Sequence, residues 1–330
     1  MTAVRKLTDD FAPQSGHRTS DVGVILPADF LLKSGESLTR PEIRLRLHGD
    51  PSRPAVVVAG GISAGRCVAD SAAGAGWWRD IVRAGGAINL SRFCVIGFDF
   101  LPNPGEAART MTSGDQARAL ACALDKINIA RLRAFVGASY GGMVALAFAA
   151  IFPRRLENLC VISAADRPHA AATALRGVQR RIIDFARRAG AAHEGVSLAR
   201  QLAMISYRTP EEFERRFGHA PGAAAGDPHE VCAYLIARGD AYGMAPERFV
   251  TLSDSIDRHA IDPAKIETRA LFLASASDRL VPPEDTRQLA ARVASGAYFE
   301  FPSLYGHDAF LKEAAIIGPV IKKFIEEEQP

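Results

Sequence analysis

Apolar positions along the chain follow two rhythms. Residues 42–50 (EIRLRLHGD) alternate with period two, the pattern of a strand with one solvated face, and predict an outer antiparallel strand. Residues 54–61 (PAVVVAGG) and 93–100 (FCVIGFDF) are apolar without interruption, as expected of strands covered on both faces. Residues 133–139 (RAFVGAS), 156–164 (LENLCVISA), 269–275 (RALFLAS) and 297–301 (AYFEF) continue that series. Between them the spacing becomes helical: a short helix over 77–84, then 113–127, 141–151, roughly 284–293, and a last helix over about 308–327.

Residues 166–262 break the alternation. They carry no strand pattern, are rich in Arg and Ala, and are interrupted by the flexible-loop composition GHAPGAAAGDP at 218–228. Repeated β and α elements with a helical insertion predict an α/β fold, a mostly parallel doubly wound sheet carrying an inserted helical lid. The expected organisation is a polar flexible arm over 1–20, a core from 21–165 and 263–330, and the lid over 166–262.

Composition narrows the class without changing that picture. Of 330 residues, 48% are apolar and 23% charged, which excludes a disordered or fibrous chain. The 40 basic and 37 acidic residues nearly cancel, and no basic stripe interleaved with aromatics suggests nucleic acid. No apolar run is long enough for a membrane helix, and the first twenty residues lack the apolar stretch of a secretory signal. The five cysteines are scattered and form no C-x-x-C pair, so a reduced, cytoplasmic chain with free thiols and no metal is expected.

Gly137-Ala138-Ser139-Tyr140-Gly141 lies between a predicted strand and a predicted helix, the setting of a nucleophile elbow. Such an elbow demands an acid after a later strand and a histidine beyond it. Asp278 follows the strand at 269–275, and His307 follows the strand at 297–301, so Ser139, Asp278 and His307 are the expected triad. The other seven histidines are expected to be solvated or to cap, and Asp254 and Asp257 to lie on the lid surface or at caps. Two backbone N–H groups should form the oxyanion hole: Tyr140, after the nucleophile, and Gly61, with Gly60 or Ile62 as neighbouring registers.

At this point the chain resembles the homoserine O-acyltransferases of the α/β-hydrolase superfamily. The resemblance rests on GWW at 76–78, GASYGGMVALAFAAIFPRRLENLCVISAA from Gly137, RGVQRRIID at 176–184, ISYRTPEEFERRFG at 205–218, AYLIARGD at 233–240 and YGHDAFL at 305–311. It implies the α/β-hydrolase fold and transfer of an acetyl or succinyl group from acyl-CoA to the hydroxyl of homoserine, or of serine. Ser139 would be the acylated nucleophile, His307 the base and Asp278 its orienting acid. Asp308 would hold the acceptor's amino group and Arg180 its carboxylate, with Arg181 as the competing register. The same triad would also serve a plain esterase or thioesterase. Acyl-CoA enters as co-substrate, with no metal or redox cofactor implied. The partners expected are small molecules alone, with neither nucleic acid nor membrane, and a homodimer is left open. Two departures stand beside the acyl group: Tyr140, where many members have methionine, and AGGISAG, where many have a His-Ala-Leu-Thr-Gly type segment.

Overall fold

The computed structural model describes residues 4–12, 17–219, 221, 222, 224 and 226–327. Nine strands form one sheet: β1 (Val4–Ala12), β2 (His17–Ile25), β3 (Glu42–His48), β4 (Ala55–Ala59), β7 (Cys94–Phe98), β8 (Ala134–Ala138), β9 (Asn158–Ile162), β10 (Arg269–Ser275) and β11 (Gly296–Phe301). Their order is β1-β2-β3-β7-β4-β8-β9-β10-β11, and β5 (Val82–Arg83) pairs separately with β6 (Ile88–Asn89). From β7 to β11 neighbours run parallel, while β1, β2, β3 and β7 pair antiparallel.

The parallel strands are apolar throughout because both faces are covered. Val57 faces one core beside Leu120 and Val144 of α1 (Ser113–Lys126) and α2 (Tyr140–Ile151). Its neighbours Val56 and Val58 face the other, which holds Ile317, Ile321 and Phe324 of α10 (Ala314–Glu326). Chain order reverses around β4, which lies between β7 and β8. At such a switch point the loops at the strands' carboxyl ends diverge and leave a crevice.

The insertion is helical, as expected: α3 (Ala170–Arg188), α4 (Ala192–Tyr207), α5 (Pro210–Phe217), α6 (Glu230–Asp240) and α7 (Pro246–Asp257) follow β9 with no strand among the described residues. Its two ends are tied together, the Ile261 N–H donating to the Asp166 carbonyl at 3.1 Å. After it come α8 (Pro283–Arg292) and α9 (Ala309–Lys312).

Three expectations need correction. The arm expected over 1–20 is, where described, a strand pair, β1 running antiparallel to β2; residues 1–3 and 13–16 lie outside the described residues. The helix expected at 77–84 is a set of turns leading into β5. There Gly76 packs so close to Val68 and Ala69 that a Cβ would meet their backbone at 2.3 Å, and the Trp78 indole donates to the Phe310 carbonyl at 2.9 Å. Those contacts hold the segment by its surroundings and not by its helical spacing. The final helix is interrupted at Glu313, which separates α9 from α10.

Candidate active site

Ser139 stands between β8 and α2 with φ 54° and ψ −124°, a conformation that costs a non-glycine residue energy and that the surroundings must impose. They do so through close backbone packing. A Cβ on Gly137 would meet the Gly141 carbonyl oxygen at 2.3 Å, and one on Gly141 would meet that of Ala59 at the same distance. Only glycine lets the turn close this tightly. The serine is thereby lifted off the sheet edge at the start of α2.

His307 lies in a short turn after β11, and Asp278 in the turn after β10. The His307 Nε2 is 2.8 Å from the Ser139 Oγ, and its Nδ1 is 2.7 Å from the Asp278 Oδ2. Asp278 is buried, and its Oδ1 accepts the N–H groups of Leu280 and Val281 at 2.9 and 3.0 Å. A carboxylate so held can only accept from Nδ1, which leaves Nε2 free to take the serine proton. Burial pushes His307 toward its neutral form, but the charge and hydrogen bond of Asp278 outweigh it, so its pKa lies above the ordinary 6.5.

The Tyr140 N–H is the first of α2, among those that find no carbonyl within their own helix. Opposite it runs the loop after β4. Gly61, Ile62, Ser63 and Ala64 line the same cavity as Ser139 and His307, and a Cβ on Gly61 would meet nothing within 4 Å. The Gly60 carbonyl accepts the Gly141 N–H at 2.8 Å, and Gly60 is not among the residues that line the cavity. The far end of the loop is anchored where the Arg66 N–H donates to Asp99 at 2.9 Å and the Trp77 indole donates to the Gly65 carbonyl at 3.0 Å. The Tyr140 side chain is fully buried against Phe100, and its hydroxyl lies 2.6 Å from the Ser255 Oγ.

The cavity holds about 230 Å³ and is lined by the lid on the side facing the sheet. Ala172, Leu175, Arg176 and Gln179 line it from α3, Arg200, Ser206 and Tyr207 from α4, and Asp308 from beside His307. Two charge clusters reach this wall, one through Arg176 and the other through Asp308. Arg176 and Arg180 share the single carboxylate of Asp257, each at 2.7 Å, so the cluster keeps one positive charge. Arg208 is shared by Glu212 and Asp308, both at 3.2 Å, which leaves one negative charge.

Residues 54–314 match the family model described as alpha/beta hydrolase fold. The chain is 42% identical to a homoserine O-succinyltransferase of Xanthomonas campestris over 288 residues, 85% of this chain and 78% of that one. It is 30% identical to a homoserine O-acetyltransferase of Thermus thermophilus, over 76% of this chain and 72% of that one. The chain belongs to the homoserine O-acyltransferase family. It is an enzyme of the α/β-hydrolase fold, and the crystal structure of a Staphylococcus aureus homoserine O-acetyltransferase superposes on it with a TM-score of 0.78 at 23% identity, covering 100% of this chain and 96% of that one.

Against this acyltransferase frame, the structure brings together Ser139, Asp278, His307, Tyr140, Gly61 and Asp308 around one cavity. It does not bring Arg180 to that wall. Arg180 and Arg181 line a separate cavity with Val178, Arg187 and Glu247. The reason is helical rotation: Gln179 faces the Ser139 cavity, and the next residue is turned by about 100° toward α7, where Arg180 bonds Ser253 and Asp257. Arg176, one turn earlier, lines the Ser139 cavity instead; the i, i+4 spacing in RGVQR was the available signal. Asp257 is not at the surface but almost fully buried between the two arginines. Nor are all the remaining histidines solvated, since His48 and His259 are fully buried. All five cysteines are free, and no metal-binding group of three or more ligands occurs among the described residues. No helix among the described residues is long and apolar enough to cross a membrane.

Proposed function

We propose that this enzyme moves an acyl group from acyl-CoA to the hydroxyl of L-homoserine through an acylated Ser139, in the cytoplasm and as a step of methionine biosynthesis. The observation that carries the reading is the pairing of the Ser139–His307–Asp278 hydrogen-bond chain with one net positive and one net negative cluster on the same small cavity.

In the first half-reaction the Ser139 Oγ attacks the thioester carbonyl while its proton passes to the His307 Nε2. The Tyr140 and Gly61 N–H groups hold the oxyanion, and Asp278 steadies the imidazolium. As the carbon–sulfur bond breaks, the thiol leaves with that proton, and the acyl group remains as an ester on Ser139. In the second half-reaction the homoserine hydroxyl gives its proton to Nε2 and attacks the ester, and Ser139 recovers the proton as the product departs. Every proton and electron pair is accounted for by Ser139, His307 and the substrates, so this chemistry calls on no resident metal or redox group.

The acceptor is a zwitterion, and the two clusters match it: Arg176 takes the carboxylate and Asp308 the ammonium group. A lid-lined cavity holding the amino acid at the acyl ester favours transfer over attack by water. The relatives' names differ in the acyl group, succinyl in one and acetyl in the other.

Protein incubated with acyl-CoA and no acceptor should gain one acyl mass on the peptide bearing Ser139, then lose it to homoserine with formation of the O-acyl product. Ser139→Ala should abolish both steps, by roughly 10⁴-fold or more. An acyl mass mapping elsewhere would overturn the covalent assignment. Discharge to water at the same rate with and without homoserine would establish an esterase instead.

A further inference from the structure

Among the described residues, three that are not glycine have positive φ: Asn128, Ser139 and Ser163, at 61°, 54° and 51°. Asparagine tolerates this region through its short polar side chain, and Asn128 stands just after the C-cap of α1. The other two are serines at the carboxyl ends of adjacent strands, since Ala138 of β8 pairs with Ile162 of β9. One of them is the nucleophile. The fold holds the second in the same strained region, and strain of this kind gathers at functional sites.

The backbone of both serines is satisfied. The Ser139 N–H donates to the Ile162 carbonyl at 2.9 Å, and the Ser163 N–H donates to the Leu273 carbonyl of β10, also at 2.9 Å. The Ser163 side chain is not. Ser163 is 1% exposed and lines the Ser139 cavity, yet its Oγ is buried with no hydrogen-bond partner among the described residues. Buried hydroxyls are nearly always paired, and one left alone costs stability.

Chain placement says which side of the acceptor this hydroxyl meets. Ser163 opens the segment that continues into α3, the helix whose Arg176 lines the same cavity. Asp308 stands instead beside His307, after β11 and two strands away from β9. Ser163 thus belongs to the cationic side of the site. Arg176 shares its guanidinium with Asp257, so a carboxylate bound there keeps lone pairs that the arginine does not fill.

We propose that Ser163 is an acceptor-binding residue whose hydroxyl donates to the carboxylate of homoserine beside Arg176. This rests on the acyl-transfer reading above and adds a neutral donor to its second half-reaction.

The test is single-turnover acylation of the full chain by acyl-CoA, then a homoserine chase, on wild type, Ser163→Ala and Ser163→Gly. Acylation should proceed as in wild type, while transfer efficiency should fall about 10- to 100-fold in both variants, the worth of one hydrogen bond to a charged group. Ser163→Ala removes an unpaired hydroxyl, so its thermal unfolding midpoint should be no lower than that of wild type. A lower midpoint with equal loss in both half-reactions would assign Ser163 to packing and overturn the proposal. So would a Ser163→Gly variant that transfers like wild type, because glycine relieves the backbone but lacks the hydroxyl. Two double variants test the carboxylate itself: the losses of Ser163→Ala and Arg176→Ala should not multiply, whereas those of Ser163→Ala and Asp308→Ala should. The reverse would assign the hydroxyl to the ammonium group. A loss confined to acylation would assign it to the donor, and either result would overturn the proposal. A wild type that acyl-CoA does not acylate, or that homoserine does not discharge, would sink the acyl-transfer reading and this proposal with it.

Discussion

On the core side of the cavity the reacting groups stand at strand ends and are placed by backbone; on the lid side they stand on helices and are placed by one another. Ser139, Asp278 and His307 follow β8, β10 and β11 directly, and the glycines beside Ser139 touch neighbouring carbonyls. Arg176 and Asp257 on the lid, and Asp308 facing it from beside His307, owe their positions to shared ion pairs, with side chains between 9% and 14% exposed. Strand-end geometry tolerates almost no change, whereas a shared ion pair can lose one member and keep the other. The lid should therefore yield graded effects where the core yields all-or-none ones.

Arg176 and Arg180 break this comparison most sharply. Arg176→Ala removes the cavity-facing guanidinium yet leaves Asp257 paired with Arg180, so the lid stays folded. Transfer from acyl-Ser139 to homoserine should fall about 30- to 150-fold, the worth of a charged contact in a dry site. Arg180→Ala leaves Arg176 in place but neutralised by Asp257, so only the surplus charge is lost. Its effect should be about 3- to 10-fold, as for a partly screened charge. Acylation should be spared in both, measured by single turnover followed by homoserine chase. If Arg180→Ala proved the more damaging, the carboxylate would sit beyond Ser253 and not at Arg176.

The same contrast explains what could be read from the sequence. Strands β4, β7, β8 and β10 were legible to within a residue or two because burial on both faces makes them continuously apolar. The triad was legible because an elbow fixes where an acid and a histidine must follow. That Arg180 would turn toward α7 was not legible, because a helix turns about 100° per residue and a motif names a helix position without naming its face. The hairpin of β1 and β2 was missed for another reason: charges and small polar residues interrupt any alternation there.

On the core side, pH sharpens the picture. Catalysis needs neutral His307, and Asp278 holds its pKa above 6.5. The acid limb of kcat/KM for acylation should therefore have its midpoint above 6.5, with about a tenfold loss per unit below it. For stability the sign is opposite: the charged form is favoured in the fold, so its contribution is present at low pH and fades as pH rises through the raised value. A midpoint at or below 6.5 in a pH–rate profile would show that burial outweighs Asp278.

The smallest effect is expected where core and lid join. His259, just beyond α7, is fully buried, with its Nδ1 2.6 Å from the Ser113 Oγ at the start of α1 and its Nε2 3.1 Å from the Ala165 carbonyl, where the lid begins. One imidazole thus clamps both ends of the insertion onto the core. The carbonyl can only accept, so Nε2 carries the proton and Nδ1 accepts from the serine hydroxyl. Burial presses the pKa down to about 4. Between that value and 6.5 the unfolded chain binds the proton and the folded chain does not, so stability is lost as pH falls across this window. By pH 4.5 the loss should reach roughly 2 kcal/mol from this group. His259→Gln keeps a donor and an acceptor but cannot titrate. The variant should be less stable than wild type by about 1 kcal/mol at pH 7, from poorer hydrogen-bond geometry, and the difference should shrink or reverse by pH 4.5. Denaturant unfolding at the two pH values measures it. A wild-type-to-variant difference independent of pH would mean that His259 is charged in the folded joint, or that water reaches it there.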